Sequence, residues 1–239
     1  MENSIYIGLS KQVAIRENMA IIANNVANMN TTGYRGQNLL FKEYISDPRG
    51  AEHDISQVYS IGQYDNTEAG QTSFTGNPLD AAINGPGFFG AVTTEGIRYT
   101  RAGNFTMDET GLLMMPGGIP VASAGGGTIT IPPDAQNISI TEDGFIATDG
   151  GVIGQLMVQE FENPQLLTPE GNGLYKTDEA GIPAIESVVK QGMLEGSNVD
   201  AISEMTHLID MSRSYISLTK VLDQEHDRIR DAIRKLSGQ

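Results

Sequence analysis

The fold class is decided first by residues 9–33, LSKQVAIRENMAIIANNVANMNTTG. No glycine or proline occurs from Leu9 to Thr32, although the chain contains 28 glycines and 10 prolines. Apolar side chains recur here at alternating spacings of four and three residues, namely Ile15, Met19, Ile22, Val26 and Met29. This is the a/d seam of a heptad, and it predicts a helix that buries one apolar stripe against another helix.

The same stretch also predicts how this helix ends and what its second face does. Ala20, Ala23 and Ala27 form a small-residue face that would let another helix approach closely. Gly33 follows two threonines and suits the left-handed conformation that terminates a helix, so we expect the helix to end at residues 31–33.

The C-terminal segment repeats the pattern over a greater length. One seam comprises Leu208, Met211, Tyr215, Leu218, Leu222, Glu225 and Ile229, with Glu225 as its one polar member. A neighbouring row comprises Ile202, Met205, Ile209, Ser212 and Ile216. Two adjacent rows make an apolar face wider than one partner helix needs. The alternative, a helix packed only on its own domain, remains open for either helix alone, but two such helices favour a bundle that also offers apolar surface to other chains.

The middle of the chain differs in composition from both ends. All 10 prolines lie between Pro48 and Pro183, and 24 of the 28 glycines lie in residues 38–197. That segment holds 6 basic and 21 acidic residues, so its net charge equals the −15 of the whole chain. The ends are therefore nearly neutral, and the middle is acidic and rich in turn formers.

Short β-branched and aromatic stretches in the middle predict antiparallel strands, arranged as a barrel or a sandwich. The predicted strands are residues 88–92, 97–100, 128–131, 138–140 and 156–158. The predicted turns are residues 84–87, 116–118, 142–144 and 149–151, all of which contain glycine. Residues 38–70 are polar and show no strong period, so we interpret them as an extended, irregular connector.

These patterns together predict an α+β protein whose N- and C-terminal helices pair as a coiled coil, with a central, mainly antiparallel β domain. The predicted divisions are residues 1–37 for the N-terminal assembly helix, 38–70 for the connector, 71–197 for the β domain and 198–239 for the C-terminal assembly helix.

Charge and composition restrict the classes of partner and site. A net charge of −15 would repel phosphate backbones and anionic lipid surfaces, so we predict no nucleic-acid partner. The absence of cysteine excludes disulfides and thiolate metal sites. No apolar run approaches the roughly 20 residues that span a bilayer, so no direct membrane insertion is expected. The first residues lack the basic and apolar regions of a secretory signal, so export would need another route.

Catalytic motifs are also lacking in the sequence. His53, His207 and His226 are far apart, and no pair has metal-ligand spacing with a carboxylate nearby. No nucleophile elbow, phosphate-binding loop or zinc-protease motif occurs, and residues 125–127 are three glycines without a following Lys-Ser/Thr. Asp143-Gly144 and Asp149-Gly150 lack calcium-loop spacing and suit hairpin turns. We therefore predict no enzymatic activity, no cofactor and no metal. Carboxylate pairs that meet only in the fold would remain possible.

Four blocks resemble the flagellar basal-body rod protein family, and they run in the family's order over nearly the whole chain. Residues 23–35, ANNVANMNTTGYR, match A-N-N-x-A-N-x-x-T-x-G-[FY]-[KR]. Residues 75–89 match T-G-x-P-L-D-x-A-I-x-G-x-G-F-F, and residues 99–105 match Y-T-R-x-G-x-F. Residues 191–199, followed by Glu204-Met205 and Arg213-Ser214-Tyr215, are similar to Q-G-x-L-E-x-S-N-V…E-M…R-x-Y. Residues 4–12 are more similar to proximal than to distal rod members, and residues 213–216 depart from the distal Q-R-A-Y-E run.

The resemblance implies a structural subunit of the proximal rod that polymerises axially and transmits torque. In this family the terminal helices pair as a coiled coil in the inner layer of a hollow tube, and a β-rich domain lies outside. The implied partners are copies of the chain, neighbouring proximal and distal rod proteins and the flagellar type III export apparatus. The implied location is the periplasmic rod of the basal body, reached without a cleavable signal peptide.

An assembly interface on both helices follows from the seams and from this resemblance. Its expected residues are Ile15, Met19, Ile22, Asn24, Asn25, Val26, Asn28, Met29, Met205, Leu208, Met211, Tyr215, Leu218, Leu222 and Ile229. Asparagines are poor helix formers, so we expect the three in the motif to be buried between helices of different subunits, where their amides would fix the register.

Two other functions remain open at this point. A distal rod or hook-type subunit would share every motif. A glycan-binding or hydrolytic β domain with oligomerising helices would instead need a pocket with converging carboxylates and a perturbed pKa.

Overall fold

The computed structural model describes residues 2–46, 55–236 and 238. His53 and part of the predicted connector lie outside these residues. The chain divides into two compact units. The first unit takes the described residues of 1–27, 37–66 and 200–239, and the second takes residues 28–36 and 67–199.

The first unit consists of two long helices and one β-hairpin. Its elements are α1 (Glu2–Ala27), β1 (Gln37–Ser46), β2 (Ile55–Asp65) and α2 (Ala201–Leu236). The strands β1 and β2 pair antiparallel, with a bulge between Leu40 and Phe41. Both helices contain the predicted heptad positions, except Met29, which lies beyond the end of α1.

Two expectations about this region are wrong. Residues 38–70 are not an irregular connector, because most of them form the β1–β2 hairpin, which groups with the helices. The sequences of these strands do not alternate between apolar and polar residues, because apolar side chains on both faces of the hairpin, such as Leu40 and Val58, stay exposed. The helix also ends at Ala27 and not at residues 31–33. A tight turn replaces it, in which the Thr31 N–H donates to the Asn28 carbonyl at 3.0 Å.

Gly33 has the left-handed conformation expected from the sequence, with φ +68°. A second constraint also requires glycine here. A Cβ atom at this position would lie 2.5 Å from the main-chain carbon of Arg101. The Gly33 N–H donates to the Glu195 carbonyl at 2.8 Å, so this loop is fixed within the second unit.

The second unit is built from short strands. They are β3 (Thr72–Phe74), β4 (Ala81–Asn84), β5 (Phe88–Thr93), β6 (Gly96–Thr100), β7 (Thr106–Met107), β8 (Leu113–Met115), β9 (Ile119–Pro120), β10 (Ser139–Ile140), β11 (Phe145–Thr148), β12 (Gly151–Gln155), β13 (Val158–Glu160), β14 (Thr168–Gly171), β15 (Leu174–Lys176), β16 (Ile182–Pro183), β17 (Val188–Gln191) and β18 (Met193–Glu195). A 3₁₀ turn spans Pro164–Leu166.

The largest sheet has six strands in the order β14-β15-β6-β5-β13-β16, and its pairs are antiparallel. Smaller sheets pair β10-β11-β12, β7-β8-β9, β17-β4 and β18-β3. The predicted strands at 88–92 and 97–100 are confirmed as β5 and β6, in which Phe89 pairs with Thr100. The stretch 128–131 does not form the predicted strand: Thr128 and Thr130 make isolated bridges to Ala122 and Leu112.

The core of the second unit lies between these sheets. Its fully buried side chains include Phe89, Phe105 and Ile131. Phe89 and Phe105 meet edge to face at 5.1 Å between ring centroids, a favoured aromatic arrangement. A second cluster joins Phe88, Phe161, Leu167 and Tyr175. The central segment therefore has the mainly antiparallel β structure that the turn signals predicted.

Candidate assembly site on the terminal helices

The two helices of the first unit contact each other in antiparallel orientation. Gln12 donates its side-chain N–H to Thr219 Oγ1 at 3.3 Å. Asn18 Nδ2 lies 3.8 Å from the sulfur of Met211, so the partner number falls as the position on α1 rises. Near the start of α1, a Cβ atom on Gly8 would lie only 2.6 Å from Leu222 Cδ2. Glycine at this position allows the helices to approach closely.

The predicted α1 residues take different positions. Ile15 and Ile22 are buried, and Met19 and Val26 are half-buried on the same stripe. Met29 lies beyond the helix and is half-buried in the second unit. Ala20, Ala23 and Ala27 are exposed, so the small-residue face is uncovered in the described chain.

The two apolar rows of α2 also differ in burial. The seam is half-buried throughout, at Leu208, Met211, Tyr215, Leu218, Leu222, Glu225 and Ile229. The second row is exposed at its apolar positions, which are Ile202 (78%), Met205 (45%), Ile209 (52%) and Ile216 (52%). No described side chain of this 36-residue helix is fully buried. The seam thus contacts the rest of the first unit, and the second row presents an exposed apolar surface.

The asparagine motif is arranged differently from the sequence-based expectation. Asn25 is only 2% exposed. Its Nδ2 donates to the Gln37 carbonyl at 2.9 Å, and its Oδ1 accepts from the Gln37 N–H at 2.9 Å. Both ends of this amide are thus satisfied within the chain, which corrects the expectation that it meets another subunit. The amide satisfies both main-chain polar groups of Gln37, the first residue of β1.

The other two asparagines of the motif are less buried. Asn24 is exposed on α1, and Asn28 is half-buried after the helix. Asn28 Oδ1 accepts from the Thr31 hydroxyl at 3.2 Å, within the turn that ends the helix. The motif therefore combines one buried structural amide, one turn residue and one surface residue.

Further apolar side chains of the first unit are exposed on α1 and on the strand β2 that lies beside it. Tyr6, Leu9 and Val13 line one side of a cavity of about 350 Å³, and Val58 and Tyr59 of β2 line the other. The side chain of Glu17 anchors this edge by accepting from the Ser60 hydroxyl. Exposed apolar surface is thus present on both helices, where the sequence predicted it, and also on the hairpin, where the sequence did not predict it.

Side chains that could bind a metal ion do not gather in the described residues. His207 and His226 are both exposed on α2. Within residues 2–46, 55–236 and 238, no group of three His, Cys, Asp or Glu residues could hold a metal ion. No helix in that part of the chain is long and apolar enough to cross a membrane.

Hydrogen bonds to carboxyl groups in the second unit lower their pKa values. The Thr110 hydroxyl and the Leu112 N–H lower the pKa of Asp108. Burial acts to raise the pKa of Glu160, but hydrogen bonds from Ser187 and from the Ile185 N–H outweigh it and lower the pKa. A general acid of a glycosidase needs a raised pKa, so these two carboxylates are suited to structural roles.

Three family models match the chain. "Flagella basal body rod protein" matches residues 5–35, "Flagellar hook protein FlgE/F/G D1 domain" matches residues 82–148, and "Flagellar basal body rod FlgEFG protein C-terminal" matches residues 190–235. The first match covers most of α1, and the third covers most of α2.

Full-length relatives give the same family. The chain is 34% identical to the flagellar basal-body rod protein FlgF of Caulobacter vibrioides, over 99% of this chain and 98% of the relative. It is 32% identical to FlgF of Rhizobium meliloti, over 100% of this chain and 99% of the relative. It is 33% identical to the rod protein FlgG of Bacillus subtilis, over 98% of both chains.

Proposed function

The chain belongs to the family of flagellar basal-body rod proteins, and we propose that it is a structural subunit of the proximal rod that polymerises through its terminal helices. In this proposal the antiparallel helices form a coiled coil in the inner wall of the rod and transmit torque along it. The neighbours are copies of the chain and other rod proteins, and the flagellar type III apparatus exports the subunit.

One observation carries the assembly step: the second row of α2 is apolar and exposed. Exposed apolar surface of this kind gains about 25 cal/mol for each Å² that a partner covers. Ile202, Ile209 and Ile216 lie on one side of the helix, and the half-buried seam lies on another. The helix can therefore keep its contacts with α1 while it packs against a neighbouring subunit.

A self-repeating contact of this kind suits an axial polymer. If the row of one chain meets a different surface of the next, the contact is heterologous and can extend along an axis without closing. The cavity between α1 and β2 offers one such complementary surface, because its walls are largely apolar.

The assembly step is tested with charged variants of the exposed row. Ile209→Asp and Ile216→Asp each place a carboxylate where an apolar contact would form, and burying it unpaired would cost several kcal/mol. Both side chains are 52% exposed. The free energy of unfolding of each monomeric variant should therefore lie within about 0.5 kcal/mol of the wild-type value. We expect both variants to be secreted but absent from purified basal bodies, and the cells to be non-motile.

Ser214→Asp is the matched control, because Ser214 is exposed on the same helix outside both rows. It should enter the rod normally. Normal motility and incorporation of the Ile209→Asp/Ile216→Asp double variant would refute assembly through this face.

A distal position is the second candidate, because a distal subunit would share every motif; the chain is also 33% identical to a rod protein named FlgG over 98% of its length. Crosslinking separates the two positions. The chain has no cysteine, so a single Ser214→Cys substitution gives a unique crosslinking site. Crosslinks to proximal rod proteins alone would support the proximal assignment, and crosslinks to hook proteins would contradict it.

A further inference from the structure

Two buried arginines of the second unit, Arg35 and Arg101, lie against one aromatic ring, and in the described chain only Arg101 is paired with a carboxylate. Arg101 is 1% exposed, and its Nε lies 2.9 Å from Oε2 of the buried Glu195, at ion-pair distance. The other oxygen of Glu195 accepts from the Gly70 N–H at 3.1 Å. Arg101 also donates to the Gly87 carbonyl. Glu195 is therefore ion-paired with Arg101 and bonded to the main chain through one oxygen, while its Oε2 and the Arg101 Nε make no hydrogen bond in the described chain.

Arg35, the last residue of the asparagine motif, has no acidic partner among the described residues. It is 6% exposed, and its guanidinium carbon stacks 5.3 Å from the centre of the Phe88 ring. Arg101 approaches the same ring at 5.5 Å. The Nε of Arg35 and the Nη2 of Arg101 are buried without a hydrogen-bond partner in the described chain. Two guanidinium groups thus face one aromatic ring, and the described ion pairs supply one carboxylate, which pairs with Arg101.

This arrangement leaves one buried positive charge uncompensated. Burial lowers the pKa of Arg101, Glu195 acts to raise it, and the nearby Arg35 lowers it further. A buried charge is normally paired, since burial removes its hydration. The Phe88 ring face stabilises a cation only weakly compared with a carboxylate. The cluster therefore lacks one anion.

A cavity of about 360 Å³ gives access to this cluster. Both arginines line it, together with Thr67, Ala69, Pro86 and Pro164. None of the described residues around it is acidic, so Arg35 cannot be neutralised from its walls. The cavity lies wholly in the second unit, so the inference does not depend on the helices or on assembly through them.

We propose that this cavity binds a carboxylate group. The carboxylate pairs with the guanidinium of Arg35 and is also attracted by the positive charge of Arg101. A guanidinium presents a planar pair of N–H groups that matches a carboxylate. The walls from Ala69, Pro86 and Pro164 suit the short apolar stem that carries such a group. A phosphate or sulfate would need further donors, and Thr67 is the one hydroxyl among the named walls. The carboxylate comes from a small carboxylic acid or from an acidic side chain of another protein chain.

Propionate is the probe, because it carries one carboxylate on a short apolar stem. The full-length protein, labelled with ¹⁵N, is titrated with sodium propionate while sodium chloride keeps the ionic strength constant. The Nε–H signals of Arg35 and Arg101 report on each guanidinium directly. We expect saturable shifts in both, and sodium sulfate should produce smaller ones.

The variant Arg35→Gln should weaken propionate binding at least about tenfold, since a charge-assisted hydrogen bond is lost. Lys190→Gln is the matched control, because it removes one positive charge from an exposed position of the same unit outside the cavity. It should bind propionate like wild type. No saturable shift in the wild-type protein would overturn the proposal whatever the variant does, and larger shifts with sulfate would overturn the choice of a carboxylate.

A second arm identifies the source of the carboxylate. If it belongs to another copy of the chain, propionate should reduce self-association in sedimentation velocity, and Arg35→Gln should do the same without propionate. If it is a small acid, propionate should shift the Arg35 signal and leave sedimentation unchanged. Both results support the site, and the first assigns it to a contact between chains.

Discussion

At the scale of single residues, polar side chains hydrogen-bond to main-chain groups that the strand pairing leaves open. Glu160 is a clear example: its Oε1 accepts from the N–H groups of Ile185, Glu186 and Ser187 at 3.1, 2.9 and 2.7 Å. Asn25 does the same for both polar main-chain groups of Gln37. Each such side chain replaces hydrogen bonds that a longer strand would otherwise supply.

Asn25→Ala should therefore destabilise the isolated protein. The substitution removes two hydrogen bonds at a site that is 2% exposed and leaves the Gln37 N–H and carbonyl without their partner. Buried groups left unsatisfied in this way cost about 1–3 kcal/mol. Urea denaturation followed by far-ultraviolet circular dichroism measures the change.

Asn24→Ala is the neighbouring control. Asn24 is exposed on the same helix turn, and alanine has the higher helix propensity, so its effect should be much smaller. Equal stability of Asn25→Ala and wild type would show that the bonds to Gln37 contribute nothing in solution. It would also restore the earlier expectation that this amide acts between subunits.

At the scale of elements, the sequence could predict the helices better than what connects them. The heptad spacing identified the half-buried stripe of α2 residue by residue, from Leu208 to Ile229. It failed at the end of α1, because the turn at Asn28 depends on how residues 28–36 pack within the second unit. It also missed the β1–β2 hairpin, whose pairing is not local and whose exposed Leu40 and Phe41 break the alternation.

The role of Asn25 and the unpaired charge of Arg35 could not be predicted either. The motif marked both residues, but a motif does not show which side chain is buried. Asn25 contacts a residue 12 positions away, and Arg35 is placed beside Arg101, 66 positions along the chain. Such contacts depend on the fold and leave no periodic signal in the sequence.

The start of α2 should depend on pH through its capping residue. Asp200 Oδ1 accepts from the Ser203 N–H at 2.7 Å, the arrangement of a helix N-cap. That main-chain bond, followed by the Ser203 hydroxyl, lowers the pKa of Asp200 below its usual value. A lowered pKa means that the carboxylate stabilises the folded state above its unfolded pKa. This contribution is lost as the pH falls through the folded pKa.

Asp200→Ala should consequently reduce helical content at pH 7, by roughly one turn of about four residues. The difference from wild type should shrink as acid protonates the cap, when circular dichroism is recorded between pH 7 and pH 2. Asp210→Ala is the control, because Asp210 is exposed in the helix interior and caps nothing in the described chain. A difference that stays constant over this pH range would exclude a charged cap.

At the scale of the whole molecule, the two units are stabilised in different ways. The second unit has a core with many fully buried apolar side chains, among them Phe89, Phe105 and Leu156. In the described part of the first unit, the buried apolar side chains are Ala14, Ile15, Ile21 and Ile22, all from α1. Since apolar burial dominates folding free energy, the first unit should be the less stable one when no partner covers it.

Limited proteolysis of the full-length monomer should therefore remove the first unit before the second is cut. Cleavage needs local unfolding, and segments with few buried contacts open most easily. Trypsin should cut first at exposed sites of the helices and hairpin, such as Lys11, Lys42 and Arg213. The fragment that persists should contain residues 67–199, as mass spectrometry would establish. Lys42 is informative, because the composition-based division left the hairpin apart from the helices, and the structure groups them.

The distribution of trypsin sites does not by itself produce this result, because Lys176 and Lys190 are exposed within the second unit. If exposure alone controlled cleavage, these sites would be cut as fast as Lys11 and Arg213. They lie on β15 and β17, whose neighbours Tyr175 and Val189 are buried, so cutting them requires the second unit to open. Subtilisin, which has broad specificity, should yield the same persistent core. Early cleavage at Lys176 or Lys190 with intact helices would reverse the proposed order of stability, and the helices would then need no partner to fold.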